Sequence, residues 1–405
     1  MTDTAEHSVL IAPRTRWWAV VPAAVAVLAL VAVAVSVLVP ASPFATAENP
    51  RLGVTQPAPY ARVPASAESV NRRVVYGDLP DDVTVFDTDG DFFFVTVSAP
   101  DQSLLSWLVG RTEPVVDPLT EEGKFGNRTP SQNRAVSLQQ MRTATQEAQY
   151  VALLAAGYEP TIQPGEVVIQ DILCRVVAEN GDCEETFPAD DQLDPADRIL
   201  SVDGVEVATL AQLSEQLDGR SPGDLVDLRI RRPDVGELDV TVELSSAPDE
   251  PGRTIVGFVP FDTSTVDLPF DVSIDSGAVG GPSAGLAFTL ALIDELTEGE
   301  LTGGRDIAVT GTIDLEGNVG PIGGLEQKVS AVHQNGVEVF IVPSRQFELQ
   351  APNEGEQPGE VCRYECLLAA GDGEVVLVPV ETLEEALVAL ELLGGDPVVP
   401  RASTT

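Results

Sequence analysis

A chain of 405 residues, 43% of them hydrophobic, holds enough apolar material for about two or three packed domains. Its 64 acidic residues against 23 basic ones give a formal charge of −41, which repels nucleic-acid phosphates and offers anionic lipid no basic face. Nucleic acid is therefore excluded as a partner class.

Residues Trp17 to Val39 form a run of 23 without a charge. At about 1.5 Å per helical residue the run spans a hydrocarbon core of roughly 30 Å, so one transmembrane helix is expected. Arg14 and Arg16 precede it, and acidic residues dominate the chain beyond it. This asymmetry predicts a single-pass plasma-membrane protein, with residues 1–16 in the cytoplasm and the remainder outside. A cleaved signal peptide is the alternative, with Ala45, Thr46 and Ala47 as its small-residue site, although the run is longer than a usual apolar h-region.

A Pro/Ala-rich linker is expected to about Ser66, followed by a strand from Phe92 to Pro100. The DTDGD of Asp87 to Asp91 opens like a calcium loop, but Ser98 stands where the bidentate glutamate belongs. A hairpin turn is expected instead. Good helix formers from Ser137 to Ala156 end at Gly157, a C-cap residue. From Gly165 to Leu244 short strands surround one helix, Leu210 to Leu217, and apolar residues alternate at Val226, Leu228 and Ile230 and at Val240, Val242 and Leu244, as half-buried strands require.

The four cysteines fall into close pairs, Cys174 with Cys183 and Cys362 with Cys366. In an exported region they predict two local disulfides. Metal is the weaker reading, because the exported part supplies one histidine and no second cysteine pair at zinc-finger spacing. No cofactor is expected.

The run ADRILSVDGVEVATLAQLSEQL, Ala196 to Leu217, resembles the middle of a PDZ domain. That resemblance implies capture of an extended peptide by strand addition, in a groove between the Glu166 to Cys174 strand and the Leu210 to Leu217 helix. From Glu250 to Leu393 the pattern alternates as in an α/β domain. Helices are expected at Ser283–Leu296, Leu325–His333 and Leu383–Leu393, with strands at Ile307–Ile313, Glu338–Pro343 and Glu374–Pro379. Thr382 and Glu385 form a capping box for the final helix.

Two residues in that last region invite chemistry. Ser283, in GGPSAG, is expected on the first turn of its helix, where orphan N–H groups and the dipole favour developing negative charge. Lys328, in GGLEQKVSAV, is one of only two lysines; the other, Lys124 in EEGKFG, reads as a surface residue, and the remaining 21 basic residues are arginine. Arginine replaces lysine wherever a solvated charge suffices, but not where an amine must lose its proton near neutral pH. A serine nucleophile needs a base, and outside the expected anchor the choice is Lys328 or His333. The two lie about 140° apart on one helix, so they cannot both face Ser283.

GGPSAG at Gly280 to Gly285, TGTIDLEGNVGPIGGLEQK at Thr310 to Lys328, and the 45-residue separation of Ser283 from Lys328 resemble the proteolytic domain of Lon-type Ser-Lys proteases. By that resemblance Ser283 is the nucleophile, Lys328 the general base and Thr310 the residue orienting the amine. Gly281 and Ser283 would supply oxyanion N–H groups. The order of segments resembles the membrane-anchored, PDZ-containing branch of that family found in bacteria.

The implied fold is an α/β (α+β) proteolytic domain over 250–395, with a β-rich PDZ-like domain over 159–246. Ahead of these stand a transmembrane anchor at 17–39 and a linker and N-terminal segment at 40–158, and 396–405 form a tail. No G-x-x-x-x-G-K-[ST] occurs in the sequence, which implies ATP-independent cleavage of flexible or unfolded exported proteins. The expected partners are protein or peptide substrates and the membrane, with room for an oligomer. A non-catalytic PDZ scaffold keeping an inert protease fold is the alternative.

Overall fold

The computed structural model describes residues 17–49, 54–125, 130–177, 183–233, 235–247, 253–345 and 364–401. Helix α1 (Trp17–Leu38) is long and apolar enough to cross a membrane. Over Val21–Leu38 its mean hydropathy is 2.7 and none of it is buried. The expected linker is not featureless: Thr46–Asn49 pairs with Val54–Pro57, and strand β1 (Tyr60–Ser69) comes next. Small side chains permit this packing, since Ala41, Ala45 and Ala58 are fully buried together.

Next come β2 (Val74–Tyr76), β3 (Phe92–Ser98), α2 (Leu104–Gly110), β4 (Asp117–Leu119) and α3 (Pro130–Ala155). The turn at Asp87 to Asp91 leads into β3 but closes no hairpin. Strand β2, which precedes it, pairs with a strand nearly 200 residues on, through Tyr76 opposite Val272. Helix α3 starts seven residues before the expected Ser137. It stops at Gly157, whose φ of 86° suits a left-handed cap, and the Tyr158 N–H closes back onto Leu153 O at 2.9 Å.

The β-rich unit is entered through β5 (Thr161–Gln163). It contains β6 (Val167–Ile172), β7 (Arg198–Val202), α4 (Leu210–Leu217), β8 (Leu225–Arg232), β9 (Gly236–Glu243) and β10 (Phe258–Asp262). The sheet order is β9-β8-β7-β6-β10, all antiparallel. Asp203 and Gly204 turn the β7 hairpin with φ of 48° and 83°, the signature of a type I′ turn. Alternation along β8 buries Val226, Leu228 and Ile230, as the sequence predicts.

The expected groove beside the Glu166 to Cys174 strand is filled, because β10 pairs along β6 from Ile172 to Val167. The edges of this sheet are β9 and β10, and α4 lies near β10. Cys174 is disulfide-bonded, and Cys183 lies on the strand paired with its own. Cys362 lies outside the described residues.

The chain leaves the unit through β11 (Thr265–Asp267), which pairs with β5 so that Thr265 faces Gln163 and Asp267 faces Thr161. Entry and exit thus form one two-stranded stem. Beyond it lie β12 (Val272–Ile274), α5 (Gly285–Leu296), β13 (Ile307–Val309), β14 (Thr312–Ile313) and β15 (Val319–Gly320). Helix α6 (Leu325–Gln334), β16 (Val339–Pro343), α7 (Tyr364–Ala370), β17 (Val376–Val380) and α8 (Leu383–Leu392) complete the chain.

A six-stranded sheet ordered β17-β16-β13-β3-β1-β4 joins this region to the N-terminal segment. Strand β3 runs parallel to β13, Phe94 opposite Val309. Period-two alternation sends Phe92, Phe94, Ile307, Val309 and Ile341 to one face with α3 and α5. Val95, Ala308, Phe340 and Val342 go to the other with α6 and α7.

The expected strand Ile307–Ile313 is broken at Thr310 and Gly311, and β14 turns away to pair with β15. The expected capping box on α8 is half formed. Thr382 Oγ1 accepts from Glu385 N, but the Glu385 carboxylate accepts from Glu381 N instead of the cap residue's own N–H.

Candidate active site

The parallel strands β3, β13 and β16 end on one side of the sheet, the side where open α/β sheets hold their ligands. Thr310 immediately follows β13. Its backbone N–H continues the ladder to Ile341 O at 3.0 Å, while Gly311 takes a φ of 150° that frees the chain to turn. The turn clamps the Ser283 loop: Gly311 N–H donates to Ser283 O at 3.0 Å, Thr310 Oγ1 donates to the same oxygen at 3.0 Å, and Leu286 N–H donates to Gly311 O at 3.1 Å. Ser283 stands two residues before α5, on a turn and half-buried, and not on the helix's first turn as expected.

Lys328 lies one turn into α6 and is 2% exposed. Gly324 starts that helix in the left-handed region, at φ 67°, where glycine carries no steric penalty. Leu325 and Val329 on either side are buried in the core beneath the sheet. Lys328 Nζ has three hydrogen-bond partners: Val95 O at 2.8 Å, Thr310 Oγ1 at 2.9 Å and Ser283 Oγ at 3.0 Å. None carries a charge, and burial pushes the amine down to about 7. A neutral amine has two N–H donors and one lone pair. Two of these contacts therefore satisfy the donors, and the third lets the lone pair receive a hydroxyl proton.

The structure thus brings Ser283, Lys328 and Thr310 together and leaves His333 out. The His333 ring sits at the far end of α6, with Nε2 3.4 Å from Glu374 Oε2. Lys124 is half-buried, its ammonium 3.7 Å from the centre of the Tyr60 ring. Gly281 adopts a φ of 89°, and its N–H donates to Ser137 O on α3 at 2.8 Å. The Ser283 N–H has no partner among the described residues. No group of three or more potential metal-ligating side chains occurs among them either.

Two contributors were missed in the sequence, the Val95 and Ser137 carbonyls. Both are backbone atoms, so residue type does not advertise them. The unbroken apolar run FFFV does signal a strand buried on both faces, and that is where Val95 lies.

Two domain families match this chain. Residues 263–352 match the Lon protease (S16) C-terminal proteolytic domain, and residues 157–244 match the PDZ domain. The Lon protease of Chloroflexus aggregans is 34% identical over 162 residues, which cover 38% of this chain and 18% of that protein. The Lon protease of Desulfatibacillum aliphaticivorans is 33% identical over 120 residues, covering 27% and 14%. The chain spans less than a fifth of the length of these curated relatives. Among solved structures, the PDZ domain of an SdrC-like protein from Listeria monocytogenes aligns at 16% identity over 25% of this chain and 92% of that one, with a TM-score of 0.19. The two family matches give a Lon-type proteolytic domain over 263–352 and a PDZ domain over 157–244, and Ser283, Thr310 and Lys328 all fall inside the Lon-matched stretch.

Proposed function

We propose that this chain is a membrane-anchored serine endopeptidase that cleaves flexible or unfolded exported proteins without ATP. Ser283 is the nucleophile, Lys328 the general base, and Thr310 and the Val95 carbonyl hold the amine. The observation that carries this reading is the 3.0 Å contact between Lys328 Nζ and Ser283 Oγ in a buried site without a countercharge.

In this reading the neutral amine donates to Val95 O and Thr310 Oγ1 and takes the Ser283 proton as Oγ attacks the scissile carbonyl carbon. The developing oxyanion accepts from the Ser283 N–H. Gly281, the second expected donor, joins only when its N–H leaves Ser137 O. The resulting ammonium returns its proton to the leaving amine, and the acyl group remains on Oγ. Water then attacks, giving one proton to Lys328, which passes it back to Ser283 Oγ as the carboxylic acid product leaves and ionises in solvent.

The proposed division of the chain makes the PDZ unit an insertion, residues 161–267, between α3 and β12 of a proteolytic unit that begins at β1. Substrate peptide adds to the open β10 edge beside α4, and tethering raises its concentration near Ser283 to about the millimolar range. Residues 1–16 are cytoplasmic, residues 17–39 span the plasma membrane, and the chain beyond them is extracytoplasmic.

A fluorophosphonate probe should label the protein, and Ser283→Ala should abolish both labelling and cleavage of an unfolded substrate, with or without ATP. Labelling that survives the substitution would remove Ser283 from the role. Protease added to intact cells should reach residues beyond α1; full protection would reverse the orientation.

A further inference from the structure

Where α1 ends, the chain builds an apolar collar that the catalytic reading does not use. The Leu104 N–H of α2 donates to Val39 O at 2.7 Å, and Ala41 N–H donates to Gln102 O at 2.9 Å. Gln102 is buried, and its side-chain amide donates to Ala58 O and Tyr60 O. Helix α2 is therefore bolted to the foot of α1. Its sequence, LLSWLVG, has no charge, yet Leu108 is 44% and Val109 57% exposed, and the neighbouring Phe44 is 53% exposed. Trp107 lies between them, its ring 6.2 Å from Phe44 and packed on the buried alanines. The Arg111 guanidinium stands over its ring, 5.4 Å from the centre.

We infer that Phe44, Trp107, Leu108 and Val109 enter the interfacial layer of the bilayer beside α1, so that α2 lies on the membrane and holds the catalytic unit against it. The inference rests on reading α1 as a membrane anchor, and it adds a second, in-plane contact. The occupant is lipid because this apolar surface continues directly from the lipid-facing surface of α1, none of which the protein covers. Tryptophan with a flanking arginine suits the headgroup level, and a short apolar helix face buries about 5–10 Å deep there. A net charge of −41 gives anionic headgroups no advantage, so insertion is apolar and insensitive to salt.

The collar also fixes the height of the active site. Leu104 lies nine positions after Val95, which limits their separation to about 30 Å. Substrate segments are thus met close to the membrane, which favours juxtamembrane stretches of exported chains.

The test uses the full chain in phosphatidylcholine vesicles, with Trp17→Phe and Trp18→Phe leaving Trp107 as the single tryptophan. Trp107 emission should be quenched by phosphatidylcholine brominated high on the acyl chain, equally at low and high salt. Leu108→Glu with Val109→Glu should cut that quenching several-fold, while the protein still floats with vesicles and still cleaves a short soluble peptide. Protein that floats with vesicles but shows unquenched Trp107 overturns the collar and leaves the anchor standing. If its emission then shifts as the protein is diluted into excess lipid, a second copy covers the patch instead. Protein that fails to float overturns the anchor, and the collar with it.

Discussion

The amine of Lys328 is almost wholly buried, and the cost of charging it there lowers its proton affinity. Moving from 10.5 to about 7 corresponds to about 5 kcal/mol between its two protonation states. Only the neutral form accepts the Ser283 proton, so kcat/KM should climb as pH rises through about 7 and level off by about pH 8. An amine at its ordinary value would keep gaining rate to about pH 10, and a profile of that shape would remove Lys328 as the base. Lys328→Arg keeps the charge but cannot deprotonate, and should lower kcat by about 10²–10⁴-fold.

Thr310 acts through its neighbours. Its Oγ1 donates to Ser283 O and accepts from Lys328 Nζ, so one hydroxyl fixes both partners. Thr310→Val leaves an amine donor unpaired in the core, at about 1–3 kcal/mol. It should depress kcat about tenfold or more with KM little changed, and should shift the pH midpoint. Thr310→Ser should restore most of both. A Val variant with a normal midpoint would make Thr310 merely structural.

At the scale of elements, the site is assembled from four places: the turn before α5, the end of β13, the first turn of α6 and the middle of β3. The Ser283 and Lys328 motifs could be read directly because each is contiguous, and because glycine, proline and lone-lysine usage carry chemical meaning. The contribution of β3 could not, since Val95 acts through a carbonyl that any residue would supply, and its parallel pairing with β13 links positions more than 200 residues apart. For the same reason β10 reads as part of the later α/β region until its pairing with β6 is seen.

The stem gives this a testable form. Gln163 faces Thr265 across β5 and β11, so residues 164–264 can be replaced by a two-residue Asn-Gly turn that continues the ladder. A cut at 246 would instead strand β10 without its partner. The stem variant should cleave short peptides within about threefold of the parent, and should lose about tenfold or more on unfolded protein substrates. Equal losses on both would mean that the inserted unit supports the catalytic fold and does not recruit.

Across the whole molecule, two kinds of chain closure coexist. The β-rich unit between β5 and β11 is continuous in sequence and has its own core, centred on Ile199, Leu228, Ile230 and Val226. None of these residues belongs to the core around Phe94, Phe288 and Ile341. The catalytic unit closes only when β1 and β3 meet β13 and β16, across the whole length of the insertion. Such non-local pairing forms slowly, whereas a contiguous insertion folds by itself. Two melting transitions are therefore expected.

Leu228→Ala removes a buried side chain from the inserted core and should cost about 2–5 kcal/mol there. At about 4–8 °C per kcal/mol for a unit of this size, one transition should fall by about 10 °C or more. Cleavage of short peptides below that temperature should be unaffected. Phe288→Ala, at about 3–5 kcal/mol, should lower the other transition, and peptide cleavage should disappear with it, because Phe288 packs edge-on against Phe94 on the strand that carries Val95. Differential scanning calorimetry alongside peptide hydrolysis separates the two variants. Were either substitution to move both transitions together, the two units would be one cooperative block, and the stem would be a structural joint and not a tether.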